Sequence, residues 1–546
     1  MRFFAFILLL LIFTFQLKAQ DFLNKGELHG DFQTNIQYYN KDDNIDAKEV
    51  PEDILFNGYA NLLYRNGGFT AGLRYENYMN PLLGYDAKYK GSGIPYKFAS
   101  YENKSFSVTA GSFYEQFGSG MILRFYEDRD LGFDNALDGF KLRFQPHKAL
   151  VLKGIIGKQR YYFDKGEGIV RGIDAELSLN ELICFLDSSK SRINIGGSAV
   201  SKFQADNNST YILPENVAAF AGRLSYNYTK FHFEGEYVYK INDPYPSEYK
   251  EYNYIYRRGE ALLLSGSYST KGFAFMLRAK RIDNMFFRSD INATGNDLLI
   301  NYMPALSMQY HYSMQNFFPY ASHPNGEMGI QAQLNYKIKK GSVLGGKYGT
   351  ELMLSYSRIN AIEKDIFPYE SHLGYNSRFF KIGKELYFED VAFELNKKLS
   401  KMSKFSFAAN NIIYNNNIIK GFEWKGFIYA NIFAADFTQK LNDKNALRIE
   451  LQHLNSEQYK KNWALALLEF SVSPNWSFTI FDQYNYNNPI KLKRLHYYNA
   501  GLGYSKETAK IQLIYGRRVE GVMCIGGVCR YLPAANGLTL IINYAF

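Results

Sequence analysis

The feature that most constrains this chain is an alternation of apolar and polar side chains, repeated in segments separated by turn residues. The segments 28–38, 231–239 and 328–338 all alternate in this way. In the last of them, one face carries Met328, Ile330, Ala332, Leu334, Tyr336 and Ile338, and the other carries Gly329, Gln331, Gln333, Asn335 and Lys337. Segments of about ten residues with this period are typical of the strands of a membrane β-barrel.

Soluble β-sandwiches also alternate. Three features favour the barrel: charged residues on the polar faces, aromatic residues near the segment ends, and the number of segments. The chain contains 46 Tyr and 44 Phe but only 3 Trp, and aromatic residues make up 17% of it. Tyr prefers boundaries between apolar and wet surroundings, which a membrane barrel offers in quantity. No apolar run of 18 residues follows the amino-terminal segment, which excludes a helical membrane protein.

The first residues have the layout of a secretory signal peptide. Arg2 supplies a positive start, 3–15 is apolar apart from Thr14, and a cut after Ala19 fits the small-residue preference. A membrane anchor is the alternative, but the apolar run is too short to span comfortably. We therefore predict a cleaved leader at 1–19, followed by a single outer-membrane β-barrel domain at 20–546.

Short turns and longer polar connections alternate along the chain. The longer connections lie at 40–53, 79–96, 241–257, 359–385 and 519–536. Counting between them gives roughly 24 strands, an even number as bacterial barrels require. The predicted fold is therefore an all-β, large single-chain transmembrane antiparallel β-barrel whose lumen is partly filled by inward-folded loops. The same count places 116–137 in one external loop and 283–325 in another.

The ends and the charge of the chain predict its partners. Tyr544 and Phe546 close a final alternating strand and resemble the carboxy-terminal signal read by the barrel-assembly machinery during insertion. The formal net charge is +10, and loss of Arg2 and Lys18 with the leader leaves +8. An exported protein does not meet nucleic acid, so we expect these charges to face outer-membrane lipid and lipopolysaccharide.

Signatures of chemistry are scarce. The stretch 341–348 approaches a phosphate-binding loop but has Tyr348 where Ser or Thr must hold magnesium. The eight His form no metal-binding pair, and no nucleophile elbow is present. We therefore predict no catalytic residue, no metal, no cofactor and no enzyme activity. Cys524 and Cys529 are expected to form a disulfide in an oxidising compartment, with free thiols as the alternative.

Several stretches resemble one family. YEQFGSGMILRFYEDRDLGFDNALDG from Tyr114, together with PNGEMG, GGKYGT and GGVCRYLPAANG, is similar to sequences of an uncharacterised family of outer-membrane barrel proteins from Bacteroidota. These pieces span residues 114–537, which is most of the chain. The resemblance implies a barrel and an outer-membrane location, and it brings no assigned activity.

The first of these stretches is the predicted site. Gly118, Ser119 and Gly120 are expected to act as a hinge that lets the chain fold into the lumen. The predicted lumen constriction consists of Glu115, Arg124, Glu127, Asp128, Arg129, Asp130 and Asp134. We expect Arg124 and Arg129 to pair with the carboxylates, because unpaired charges are costly in a partly buried lumen.

Two functions fit these observations. The first is a channel or transport barrel narrowed by internal loops. The alternative is a non-conducting structural or accessory subunit of a larger envelope complex, such as a protein-secretion machine, with envelope proteins as partners.

Overall fold

A computed structural model describes residues 26–247, 252–420, 426–458, 460–525 and 528–546. Within them lies a closed antiparallel barrel of 24 strands. Its strands are β1 Glu27–Tyr39, β2 Ile54–Asn66, β3 Phe69–Tyr78, β4 Gly91–Glu102, β5 Phe106–Phe113, β6 Leu137–His147, β7 Leu150–Tyr161, β8 Asp164–Ser178, β9 Ser191–Phe203, β10 Asn216–Tyr228, β11 Phe231–Lys240, β12 Gly259–Thr270, β13 Phe273–Asp283, β14 Gly326–Ile338, β15 Thr350–Ile366, β16 Tyr375–Lys398, β17 Ser403–Asn415, β18 Phe427–Lys440, β19 Asn445–Ser456, β20 Trp463–Val472, β21 Trp476–Tyr484, β22 His496–Lys506, β23 Ala509–Arg518 and β24 Ala535–Ala545. The predicted leader lies outside the described residues.

The barrel closes between its first and last strands. β1 pairs with β2 and also with β24, in a register that places Thr34 opposite Ile542. The backbone of Gly30 exchanges two hydrogen bonds with that of Phe546, of 3.0 and 2.9 Å. A Cβ on Gly30 would lie 2.4 Å from the Phe546 ring, so a larger residue there would displace that ring from its present position. Closure removes the sheet edges that would otherwise invite aggregation.

Each strand has an apolar outer face and a mixed inner face, as the alternation predicts. The outer face exposes large apolar side chains, of which Phe140, Ile173 and Ile480 are 61%, 66% and 63% exposed. On β14, Ile330 faces outward and is 45% exposed, whereas its neighbour Gln331 faces inward and is 3% exposed. Within the described part of the chain, no helix is both long and apolar enough to cross a membrane.

The connections fall into two sets. Those after odd-numbered strands lie at one end of the barrel, here called the loop end, and those after even-numbered strands lie at the turn end. The expected strict alternation of long and short connections is wrong at three places. The turn end carries 179–190 and 339–349, while 162–163 is a tight turn at the loop end. The two stretches that the strand count predicted to be single external loops each form one connection between neighbouring strands, at 114–136 and 284–325.

The prediction of a long connection at 359–385 is also wrong, because β15 and β16 continue beyond the barrel wall. Ile362 still pairs with Ile382 and Ile366 with Tyr375, which leaves only 367–374 as the connection. We call this extension, residues 361–386, the arm. It lies on the outer face, where Phe379 contacts the outward-facing Tyr237 with ring centroids 6.2 Å apart. Continued pairing satisfies backbone groups that a free loop would leave to water.

Candidate functional site: two loops on the inner wall

The first loop (114–136) begins with a small hairpin in which Glu115–Phe117 pairs with Leu123–Phe125. Its turn holds Gly118 and Gly120, with φ of 55° and 95°. Only glycine adopts such left-handed conformations without a steric cost. The predicted hinge residues therefore form the tight turn of this hairpin.

Apolar side chains at the hairpin tip pack on the inner wall. Phe117, Met121, Ile122 and Leu123 are fully excluded from solvent. They share a cluster with wall residues that include Ile155, Val170, Val200, Val217, Val238 and Ala261. These wall residues lie on the strand faces opposite the exposed apolar side chains. Burial of the tip removes apolar surface from water, which stabilises the attached loop by about 25 cal/mol for each Å² buried.

A polar contact fixes the turn of the hairpin. The amide of Ser119 donates to Oε2 of Glu236 at 2.7 Å, and Glu236 points inward from β11. A Cβ on Gly118 would lie 2.7 Å from both carboxylate oxygens of Glu236. The backbone thus approaches this carboxylate more closely than any side chain at residue 118 would permit.

The second half of the loop is attached to the wall by an ion-pair network. Two wall arginines, Arg74 of β3 and Arg160 of β7, are 3% and 4% exposed. Arg160 lies 2.6 Å from Asp134 and 2.6 Å from Glu76. Arg74 pairs with the same two carboxylates and also with Glu127, at 2.8 Å. Buried charges persist only when paired, and here every member has at least one opposite partner.

The electrostatics of Asp134 follow from this network. Burial would raise the pKa of the carboxyl, but the guanidiniums of Arg160 and Arg74 outweigh burial and hold the pKa below its ordinary value of 3.8. The hydroxyl of Tyr114 donates to the same carboxylate at 3.0 Å. Asp134 is therefore ionised at neutral pH and links the loop to two wall strands.

The other predicted constriction residues have different surroundings. Arg129 donates to Glu127 at 2.7 Å, and Glu115 lies 3.1 Å from Lys153 of the wall. Asp128 accepts from the amide of Leu131 within its own turn at 3.0 Å, and Asp130 is exposed.

The prediction that Arg124 pairs with a carboxylate is wrong, because no described carboxylate forms an ion pair with it. Its guanidinium lies between two rings, 4.4 Å from that of Tyr126 and 4.1 Å from that of Tyr302. Cation–π contacts of this kind stabilise a desolvated guanidinium without a counter-charge.

The second loop (284–325) lies directly against the first. The amide of Arg124 donates to the carbonyl of Ile300 at 2.8 Å, and the amide of Tyr302 donates to the carbonyl of Gly120 at 3.0 Å. The side chain of Asn135 donates to the carbonyl of Leu299 at 2.9 Å. These contacts join the two loops into one layer.

The far part of the second loop reaches other strands of the wall. Leu306, Met314, Phe318 and Tyr320 are buried in a cluster with inward-facing side chains that include Ile359, Phe388, Ile412, Tyr414, Ile432, Leu454 and Trp463. The amide of Met314 also donates to Gln452 of β19 at 2.9 Å. The second loop thus connects the strands near the first loop with β15–β20.

The return of the second loop is held by a buried pair. Lys280 and Glu327, both fully buried, lie 2.6 Å apart, and Glu327 accepts from the amide of His323 at 2.6 Å. Burial lowers the pKa of His323 to about 4, against the favourable charge of Glu327, while Lys364 acts with burial. His323 is therefore neutral at physiological pH.

The remaining predicted residues lie outside these two loops. Cys524 and Cys529 are directly opposite each other in a hairpin at the loop end and are joined as a disulfide. Tyr544 and Phe546 lie on the outer face of the last strand, 46% and 45% exposed. Their role in insertion stays a prediction.

Sequence reasoning missed the wall partners of the first loop. Arg74 and Glu76 are two residues apart on β3, so the alternation alone places both on its inner face. Opposite charges on the inner face of one strand are a signal that the sequence contains. The sequence contains no signal of the contact between Arg74 and Asp134, which are 60 residues apart.

The amino-acid sequence matches one protein family over residues 1–546, described as a family of unknown function (DUF6029). The expectation of an uncharacterised family is confirmed, while an origin in Bacteroidota stays a prediction. No curated protein matches the sequence.

The solved structures that are similar to the chain include the following three. The translocation pore of the P pilus usher (PapC) has 9% identity and a TM-score of 0.43, with 95% of this chain and 99% of that chain covered. A variant of the ferric enterobactin receptor (PfeA) from Pseudomonas aeruginosa has 10% identity and a TM-score of 0.43, with 95% and 80% covered. The outer membrane protein opdK from Pseudomonas aeruginosa has 10% identity and a TM-score of 0.37, with 95% and 98% covered. Similarity this low carries no information about solute or role.

Proposed function

We propose that this chain, which belongs to the family of unknown function that its sequence matches (DUF6029), is an outer-membrane transport barrel narrowed by the first and second loops. A barrel of 24 strands encloses a lumen wide enough for large solutes unless it is filled. The observation that carries the proposal is the attachment of both loops to inward-facing side chains and to each other.

The outer face supports a membrane location. Large apolar side chains are exposed on successive outward positions of β6, β21 and β23. Exposed apolar patches of this extent are unusual on a soluble protein and mark an interaction with lipid or another protein. Lipid and lipopolysaccharide are accordingly the proposed surroundings, and the barrel-assembly machinery is the proposed partner during insertion.

The attachment of the first loop suggests how the lumen opens. Its tip is held by apolar burial, whereas its second half is held by ion pairs to Arg74 and Arg160. Charged contacts can exchange partners with an ionic solute or with water, so we propose that this half moves when a solute passes.

Conductance across a planar lipid bilayer tests the proposal. We expect the wild-type barrel to give small ohmic steps and a barrel lacking 118–136 to give larger ones. Asp130→Asn is the control, because Asp130 is an exposed residue in the second half of the same loop. Silence from both the wild type and the deletion would refute a conducting lumen and favour the non-conducting structural subunit.

A further inference from the structure

A cavity of about 240 Å³ lies at the loop end, above the ion-pair network. Four of the connections at that end contribute to it: 79–90, the first loop, the turn 162–163 and the second loop. The disulfide hairpin, Gly521–Ile525 with Val528–Leu532, completes its wall. Segments far apart in sequence thus build one concave site with a polar and aromatic lining, as ligand sites commonly have.

Tyrosine rings form a large part of the apolar lining, and the first loop holds two of them in place. The hydroxyl of Tyr89 donates to the carbonyl of Gly132 at 3.0 Å, and that of Tyr85 donates to the carbonyl of Arg129. Tyr89 and Tyr162 are in edge contact with ring centroids 4.7 Å apart. Rings fixed by packing and hydrogen bonds lose little entropy when a ligand binds.

One cation of the cavity, Arg530, has no counter-charge among the residues that the structure describes. The guanidinium of Arg530 lies over the Tyr85 ring, 4.4 Å from its centroid. Its Nε and Nη1 atoms are buried and have no hydrogen-bond partner among the described residues. Leaving a buried donor without an acceptor is costly, so an acceptor from a ligand would be favoured here.

The other cations of the lining are already paired. Arg160 is saturated by Glu76 and Asp134, and Lys88 lies 3.3 Å from Asp297. Arg530 is therefore the guanidinium available to an anion. Its planar donors match the geometry of a carboxylate or phosphate.

Two carboxylates at the rim add acceptors. The hydroxyl of Tyr162 is within 3.0 Å of both Asp86 and Asp297, which fixes their orientation. Asp86 also accepts from the amide of Lys88 at 2.9 Å, and Asp297 accepts from the Lys88 ammonium at 3.3 Å. A carboxylate offers about four lone-pair sites, so both retain acceptor capacity. Hydroxyl groups of a ligand can donate to the carboxylate oxygens of Asp86 and Asp297. An acid without hydroxyl groups would make no hydrogen bonds to these oxygens.

We propose that this cavity binds a small acidic sugar. Arg530 holds the anionic group, the tyrosines contact the ring, and Asp86 and Asp297 accept hydrogen bonds from hydroxyls. The inference deepens the proposed function by naming the class of solute at the loop end, and it rests on that function only for the step from binding to passage.

Calorimetry on the full barrel in detergent tests the binding. The probes are D-glucuronate, D-glucose 6-phosphate and D-glucose, which share a ring and differ in the anionic group. We expect at least one acidic sugar to bind tenfold or more tightly than glucose, and the better of the two distinguishes carboxylate from phosphate. Equal binding of glucose, or no binding of either acid, would overturn the proposal.

Variants assign the binding to this cavity. Arg530→Gln is expected to weaken the better acid at least tenfold, whereas Arg65→Gln, at an exposed arginine of β2, leaves it unchanged. The folding of each variant is checked by its heat-modifiable mobility in gel electrophoresis. If the folded Arg530→Gln barrel still binds the acid, the assignment is overturned. Loss of binding with normal bilayer conductance defeats only this inference. Binding without conductance defeats only the proposed transport.

Discussion

Nη1 of Arg160 lies 2.6 Å from Oδ2 of Asp134, and this contact joins the barrel wall to the loop that crosses its inner face. The side chains are 4% and 6% exposed, so water screens the pair little. Glu76 accepts from the same guanidinium, which places Arg160 between a carboxylate of the wall and one of the loop. The position of the loop thus depends on a charge balance that a single substitution changes.

Asp134→Asn is expected to destabilise the barrel and loosen the first loop. It leaves Arg74 and Arg160 with one carboxylate fewer, and breaking a buried ion pair costs about 3–5 kcal/mol. Urea unfolding in detergent measures the loss. Asp130→Asn is the matched control, and an equal loss in both variants would contradict the role of the network.

The pH dependence of this contact is set by the lowered pKa of Asp134. A carboxyl with a folded pKa below 3.8 contributes stability that is fully present above pH 4 and is lost as the pH falls through the folded pKa. Acidification from pH 7 to pH 5 should therefore leave the first loop attached. Protection of its amides in hydrogen exchange, corrected for intrinsic rates, reports this directly.

The second loop should respond to acid earlier, through His323. Its pKa is about 4 in the folded protein and 6.5 when exposed, so the unfolded state binds more protons between these values. Stability conferred by a neutral His323 is present above pH 6.5 and falls as the pH drops towards 4, by about 1.4 kcal/mol for each pH unit. After correction for intrinsic rates, we expect amides of 300–323 to be less protected from exchange at pH 5 than at pH 7.5. His323→Gln should remove the difference, and a difference that persists in this variant would point to another group.

Gly118→Ala should displace the hairpin turn. The new Cβ would lie 2.7 Å from the Glu236 carboxylate, and alanine is strained at a φ of 55°. Gly67 separates the two effects, because it has a φ of 56° but nothing within 4 Å of its Cβ position. Gly67→Ala should cost about 1 kcal/mol from strain alone. Gly118→Ala should cost more in the same urea titration, and equal costs would exclude the clash.

Asp283→Asn is expected to release the arm. Asp283 accepts from the hydroxyls of Tyr375 at 2.6 Å and of Ser377 at 2.5 Å, and these bonds tie the arm to the outward face of β13. Limited proteolysis should then cut within 367–374 faster than in the wild type. Glu363→Gln removes an exposed pair with Lys381, worth about 0–1 kcal/mol, and should leave the cleavage rate unchanged.

The disulfide can be checked by alkylation. In the folded, unreduced protein, iodoacetamide should label neither Cys524 nor Cys529, and both should react after treatment with dithiothreitol in urea. Mass spectrometry of the peptides gives the result. Labelling without reductant would show free thiols, the alternative that the sequence leaves open.

The sequence by itself determined the barrel. Strand alternation has a period of two regardless of context, so apolar residues on one face and polar residues on the other specify strands that are wet on one side and apolar on the other. The even count then separated the first and second loops from the wall. The predicted bounds of the connections were wrong where local signals are weak, as in the arm. Gly374 and Asn376 resemble parts of a loop, although strand pairing continues up to Tyr375.

Tertiary structure alone decided which charges meet. Arg124 and Arg129 are close in sequence to the carboxylates of their own loop, yet Asp134 is held by Arg74 and Arg160 from two different strands. Strand register and the path of the loop across the wall set these distances, and neither is written in local spacing. The cavity around Arg530 has the same origin, since its lining comes from five connections that meet only when the barrel closes.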